Sequence, residues 1–236
     1  MRDDSKPGAA HRLLAGLPQQ FTAVGLEPRY QMIITPKYDA ALEQALTEAN
    51  QPFDVAVYTE QSGRFVHHPW EGLSRVIETP NQYPPQGQPE LGFPIIAENN
   101  RLMRTVIVRI SGSVEDPSMG SGWEDNYVIT EDQYIDYLSG LPAEQAVPAQ
   151  ILSKLKKASY LFMGYRIADW RLRVFLHRIW GGSKLGGQKY WAVESKPDEL
   201  EDDLWTDAGV GLFQSGIGDY LQGLYDFLAA HAEELR

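Results

Sequence analysis

The chain contains no cysteine, which excludes disulfides, thiol nucleophiles and thiolate-ligated zinc together. Histidine is also scarce, with five residues. His67 and His68 are adjacent and would point to opposite faces of a strand, while His11, His177 and His231 are scattered, so no metal is expected. Positive charge is the third shortage: 21 Lys and Arg stand against 32 Asp and Glu, a formal net charge of −11. That balance repels a phosphate backbone, and no dense Lys/Arg stripe offsets it locally, so direct nucleic-acid binding is not expected. Apolar runs are short, none approaching the roughly 20 residues needed to cross a bilayer. The start, MRDDSKPGAAHRLL, has neither the apolar core nor the cleavage site of a signal peptide. The expectation is a cytoplasmic protein with no membrane partner.

What remains is ordinary for a globular fold. Of 236 residues, 43% are hydrophobic and 22% charged, enough for one sizeable core, and residues 1–236 read as a single domain. The most informative stretch is YLFMGYRIADWRLRVFLHRIW, from Tyr160 to Trp180. Its first four residues form an apolar strand that stops at Gly164, and Leu172, Phe175, Leu176 and Ile179 then recur at helical spacing behind Asp169, a candidate N-cap. A strand, a glycine turn and a helix N-terminus are where open α/β sheets hold nucleotides, and equally where any layered domain turns a corner.

Along the chain, residues 1–29 are a weakly specified entry, broken by Pro7, Gly8, Gly16, Pro18, Gly25 and Pro28, with at most two helical turns from Ala10 to Leu17. Gln31 to Ile34 reads as a strand. A helix carrying Ala41, Leu42, Ala45 and Leu46 follows, with Thr35 as N-cap and Pro36 in its first position. Lys37 then opposes the helix dipole unless an anion, Asp39 or Glu43 lies against it. Residues 51–105 read as an insertion holding a hairpin, Asp54 to Thr59 and Arg64 to His68, and a mobile Pro-rich loop, Thr79 to Pro94. TVIVRI, from Thr105 to Ile110, is the most strand-like run and ends in Ser111, Gly112 and Ser113. Helices are expected at Glu131 to Leu138, Val147 to Ala158, Pro197 to Trp205 and Asp219 to Leu235, and strands at Tyr190 to Val193 and Val210 to Phe213. This alternation predicts an α/β fold, a mainly parallel sheet with helices on both faces.

The order of ITPKYDAALEQAL, VIVRISGSVED, VITEDQYIDYL, YLFMGYRIADWRLRVFL, KYWAVE and SGIGDYLQGLYDFL resembles the prokaryotic sirtuin-like family over residues 30 to 230 or so. The resemblance implies a Rossmann-like fold without the zinc ribbon of sirtuin deacylases, and a link to NAD⁺-consuming anti-phage defence. Three departures bear on chemistry. Where the family has Thr-Thr-Asn-Tyr-Asp, this chain has Thr35, Pro36, Lys37, Tyr38 and Asp39, so the asparagine that positions the ribose and the water is a lysine. Where the family has His-Gly-Ser, with the histidine as general base, this chain has Ser111, Gly112 and Ser113. The family's opening strand and Gly-Ala-Gly turn find no counterpart ahead of Thr35, which reads as an N-terminal shortening.

The remaining matches fit a nucleotide edge: Gly164, Tyr165 and Arg166 for Gly-Tyr-Ser, Glu194 at the next strand end, and Gly218 with Asp219 before the last helix. Together with Thr35, Lys37, Asp39, Ser111, Gly112 and Asp169 they form the candidate NAD or ADP-ribose site, although the glycines and aspartates are as readily turns and caps. The implied function is a nucleotide-binding or scaffolding pseudoenzyme of a defence system, working with a protein partner or fused effector domain, alone or as an oligomer. One alternative is an active NAD⁺ hydrolase using Asp39, His67 or His68 to activate water. Another is a ligand-free interaction domain.

Overall fold

The computed structural model describes residues 6–59, 62–96, 99–113, 126–127, 147–166, 189–197 and 199–235. The expected helices at 131–138 and 169–180, the Gly-rich loop at 181–187 and the candidate Asp169 lie outside them.

The larger sheet has the order β1-β7-β2-β3-β4. Its parallel part is β1 (Met32–Thr35), β7 (Thr105–Arg109) and β2 (Phe53–Thr59), and its antiparallel part adds β3 (Arg64–His68) and β4 (Arg75–Val76). β7 is buried along its whole length, as a strand covered on both faces should be. A second sheet is wholly parallel: β10 (Tyr160–Met163), β11 (Tyr190–Glu194) and β12 (Gly211–Gln214). Two short pairs complete the described strands: β5 (Ile95–Ile96) with β6 (Arg101–Leu102), and β8 (Gly112–Ser113) with β9 (Asn126–Tyr127). The fold is thus mixed α/β with a mainly parallel core, of Rossmann-like kind.

Strand alternation sorts the core into two halves. Ile33, Phe53, Val55, Val57 and Ile107 face α1 (Ala9–Ala23) and α2 (Ala41–Glu48). Ala56, Tyr58, Val106 and Val108 face the other way, into a cluster with Ile151, Leu152 and Leu155 of α3 (Ala149–Lys157) and with Phe162, Tyr190 and Ala192 of the second sheet. Trp205 of α4 (Glu199–Asp207) joins that cluster, and α5 (Ile217–Ala230) packs against α1.

Three readings of the sequence change here. Residues 9–23 form one continuous helix through Pro18 rather than two turns; packing on α2 and α5 outweighs the lost backbone bond. The hairpin strand β2 sits inside the larger sheet, beside β7. The Pro-rich segment is anchored: it holds two short 3₁₀ turns, Pro80–Gln82 and Pro89–Leu91, and Tyr83 and Phe93 enter the core. Among the described residues no helix is long and apolar enough to cross a membrane.

Candidate functional site

In a parallel sheet the strand carboxyl ends open toward a ligand, because chain turns there expose backbone and helix starts. The candidate residues collect at such ends in two groups. The first follows β1 and β7. Thr35 remains in the sheet, opposite Arg109, and its carbonyl accepts from Ile110 N–H at 3.2 Å. It therefore cannot cap α2. Its Oγ1 accepts instead from Lys37 N–H at 3.1 Å, and Asp39 Oδ1 accepts from Ala41 N–H at 3.2 Å, where α2 starts. Lys37 lies in the connecting loop, outside the helix, so the expected clash with the dipole does not arise. Its side chain is exposed and makes no ion pair with the described residues, Asp39 and Glu43 included.

The loop is held by a residue the sequence reading passed over. Arg109 ends β7 on the face toward α2, and its Nε donates to Glu43 Oε1 at 2.7 Å, both side chains being 1% exposed. Arg109 Nη1 donates to Lys37 O at 3.3 Å and Nη2 to Asp39 O at 2.5 Å. A guanidinium has donors enough to serve a carboxylate and two carbonyls at once, which lysine could not do in this planar arrangement. The signal was present: one arginine within an otherwise apolar strand, and one glutamate among the inward-facing residues of α2. Just beyond, Ser111 and Ser113 are buried, and Gly112, at φ +91°, begins the β8–β9 ladder. Ser111, expected from the resemblance to stand in the base position, is buried.

The second group follows β10, β11 and β12. Gly164 has φ +61°, and a Cβ there would stand 2.8 Å from Ile217 Cδ1, so the first residue of α5 occupies the space above this turn. Tyr165 packs on Phe162 and Trp205. Arg166 Nε donates to Glu201 Oε1 at 2.6 Å, the arginine being largely exposed and the glutamate buried. This cation is committed to α4 and does not stand open beside Lys37. Glu194 ends β11, where its carbonyl accepts from Ser215 N–H. Gly218 lies inside the first turn of α5, not before it, and the Asp219 carboxylate folds back over Gly216.

His67 and His68 lie on β3, separated from the first group by β2. β3 runs antiparallel to β2, and His68 and His67 pair with Val55 and Ala56, level with Ile107 and Val108 in the middle of β7. His68 is nearly buried, with Nδ1 2.7 Å from Ser74 Oγ, and burial together with the positive side chains of His67 and Arg109 pushes it down to about 4. Both rings have partners within the fold, His67 with Asp54 and Tyr83 and His68 with Ser74. Among the described residues no group of three or more His, Asp or Glu could hold a metal.

The loop thus presents an exposed ammonium, Lys37, on a backbone held by Arg109, with the buried hydroxyls of Ser111 and Ser113 beyond the end of β7. No curated protein matches this sequence. The family model described as SIR2-like domain matches residues 31–213, from the residue before β1 to the third residue of β12, and with more than half its length matched the chain belongs to the SIR2-like domain family.

Proposed function

We propose that the chain is a nucleotide-binding or scaffolding module, of NAD or ADP-ribose type, in which hydrolytic chemistry is impaired. One observation carries this reading: Lys37 is an exposed cation at the carboxyl end of β1, on a loop whose carbonyls are fixed by the buried Arg109. An ammonium has three donors and no acceptor, so it can grip a phosphate but cannot orient water through a lone pair. A serine hydroxyl at position 111 takes up no proton near neutral pH. Lys37 and Ser111 thus fit the binding of a phosphate-bearing nucleotide better than the general-base chemistry needed to cleave it.

Arg109 adds nothing to the field outside, because Glu43 neutralises it, and Arg166 is paired to Glu201. Binding rests on Lys37, against an acidic background, and should be weak and sensitive to salt. Calorimetry at low ionic strength with ADP-ribose tests this. Lys37→Ala should weaken binding by about fivefold, on the order of 1 kcal/mol, whereas Arg166→Ala should change it little. Nicotinamide release from NAD⁺ should stay at background. Release abolished by Asp39→Ala would favour the hydrolase reading, and a role in anti-phage defence would then rest on NAD⁺ depletion.

A ligand-free interaction domain is the second reading, favoured by the exposed Trp70, Leu73 and Val76 around the edge strand β4. Absence of any heat with ADP-ribose, NAD⁺ or ATP would select it, with a protein partner or fused effector as its counterpart.

A further inference from the structure

In the larger sheet, a buried chain of hydrogen bonds runs from the amino end of β2 to the Pro-rich segment. Asp54 of β2 is fully buried and receives four donors. Arg104 Nε reaches Oδ1 at 2.6 Å and Arg104 Nη2 reaches Oδ2 at 3.1 Å; Trp70 N–H reaches Oδ1 at 2.9 Å, and His67 Nε2 lies 2.9 Å from Oδ2. Burial alone would raise this carboxyl, but the hydrogen bonds from His67, Arg104 and Trp70 outweigh it and hold it below the usual range. An ionised carboxylate only accepts, so His67 Nε2 carries a hydrogen.

The other ring nitrogen, Nδ1, lies 2.6 Å from Tyr83 Oη, and that hydroxyl lies 2.5 Å from the carbonyl oxygen of Leu91. The carbonyl has nothing to donate, so the single hydroxyl hydrogen goes to it. Tyr83 Oη can then only accept from His67, and Nδ1 must carry a hydrogen as well. A neutral imidazole would leave one of these two short contacts as lone pair against lone pair. The Phe93 ring, 4.2 Å from the imidazole at 38°, offers its π face to such a cation.

We propose that His67 is held as an imidazolium, and that its Nδ1 hydrogen is the latch that fastens the segment from Tyr83 to Phe93 to the sheet. The charged groups around the ring fit this. Asp54 on β2 is the counter-ion; Arg104, ahead of β7, is taken up by the same carboxylate; Arg75 on β4 is paired with His67 in register and lies beside the Tyr83 hydroxyl. His68, the adjoining residue, stays neutral next to this positive charge. The segment in turn reaches α3, since Phe93 N–H donates to Gln150 Oε1 at 2.8 Å. Loss of the Nδ1 hydrogen would turn the Tyr83 hydroxyl toward the ring, leave the Leu91 carbonyl without a donor, and loosen residues 91–93 together with the start of α3. The device makes the junction between hairpin and helix layer respond to proton concentration.

Nuclear magnetic resonance of the unmodified chain with ¹⁵N-labelled histidine tests this. Near neutral pH both ring nitrogens of His67 should show directly bonded hydrogens. As pH rises, loss of the Nδ1 hydrogen should coincide with a fall of roughly tenfold in the exchange protection of the Phe93 amide, after correction for intrinsic exchange. Tyr83→Phe should show the lower protection at every pH. A His67 ring protonated at Nε2 alone near neutral pH would overturn the proposal, and so would a Phe93 protection profile that is the same in both proteins.

Discussion

Arg109 is the largest side chain sealed inside the described core, and the choice of arginine there follows from three acceptors that must be served at one point: Glu43 Oε1, Lys37 O and Asp39 O. Arg109→Ala would strand the glutamate charge, at a cost of about 3–5 kcal/mol. Replacing both partners, Arg109→Met with Glu43→Leu, should restore most of that loss, since no charge is then left buried. Urea midpoints of the single and double variants check this, and a double variant no more stable than Arg109→Ala would show that the loop carbonyls, not the charge, dominate. His68 gives a pH signature. Its folded value is depressed to about 4, while the unfolded side chain titrates near 6.5. Between these values the unfolded chain binds the proton and the folded one does not, so stability falls as pH drops from about 6.5 to about 4, by on the order of 3 kcal/mol. His68→Gln should flatten that part of the profile and leave a further decline below about pH 4, where the unfolded chain protonates Asp54 while the fold, holding that carboxyl low, does not.

Among the elements, Gly164 shows how a turn is fixed from two sides. Its φ of +61° disfavours any L side chain, and Ile217 fills the space a Cβ would need. Gly164→Ala should therefore cost about 1–3 kcal/mol, and Ile217→Val beside it should recover the steric part, read from thermal midpoints of the two variants. Apart from the two-residue β4, the strands of both sheets were legible, because an apolar run with a stop after it is a local signal: TVIVRI and YLFM needed no partner to be recognised. The start of α2 was not. Thr35 and Pro36 read as a helix opening, yet Thr35 is committed to β1 by its pairing with Arg109, which is a property of the sheet and not of the dipeptide. The Pro-rich segment fails for the same reason. Prolines erase periodicity, and the destination of Tyr83 and Phe93 depends on His67 and Gln150, the latter 57 residues away from Phe93. At the site, Lys37 and Ser111 could be placed at strand ends from the sequence, whereas the engagement of Arg166 by Glu201 required the placement of α4.

For the whole molecule, the layer formed by α1 and α5 joins the described residues furthest apart along the chain. Tyr225 Oη donates to Leu13 O at 2.5 Å, across 212 residues, and a Cβ on Gly16 would stand 2.8 Å from that hydroxyl. Gly16→Leu should part the two helices and lower stability by about 1–3 kcal/mol, with Tyr225→Phe alone costing less; equal losses in the two variants would mean that the hydrogen bond, and not the close approach, holds the joint. The same pairing sets an order on biosynthesis. At a translation rate of roughly 5–20 residues per second, the carbonyl of Leu13 waits on the order of 10–40 s for its tyrosine to be made. Through that interval the α5-facing side of α1 has no native cover, so a nascent chain exposes this surface to chaperones longer than any other described helix.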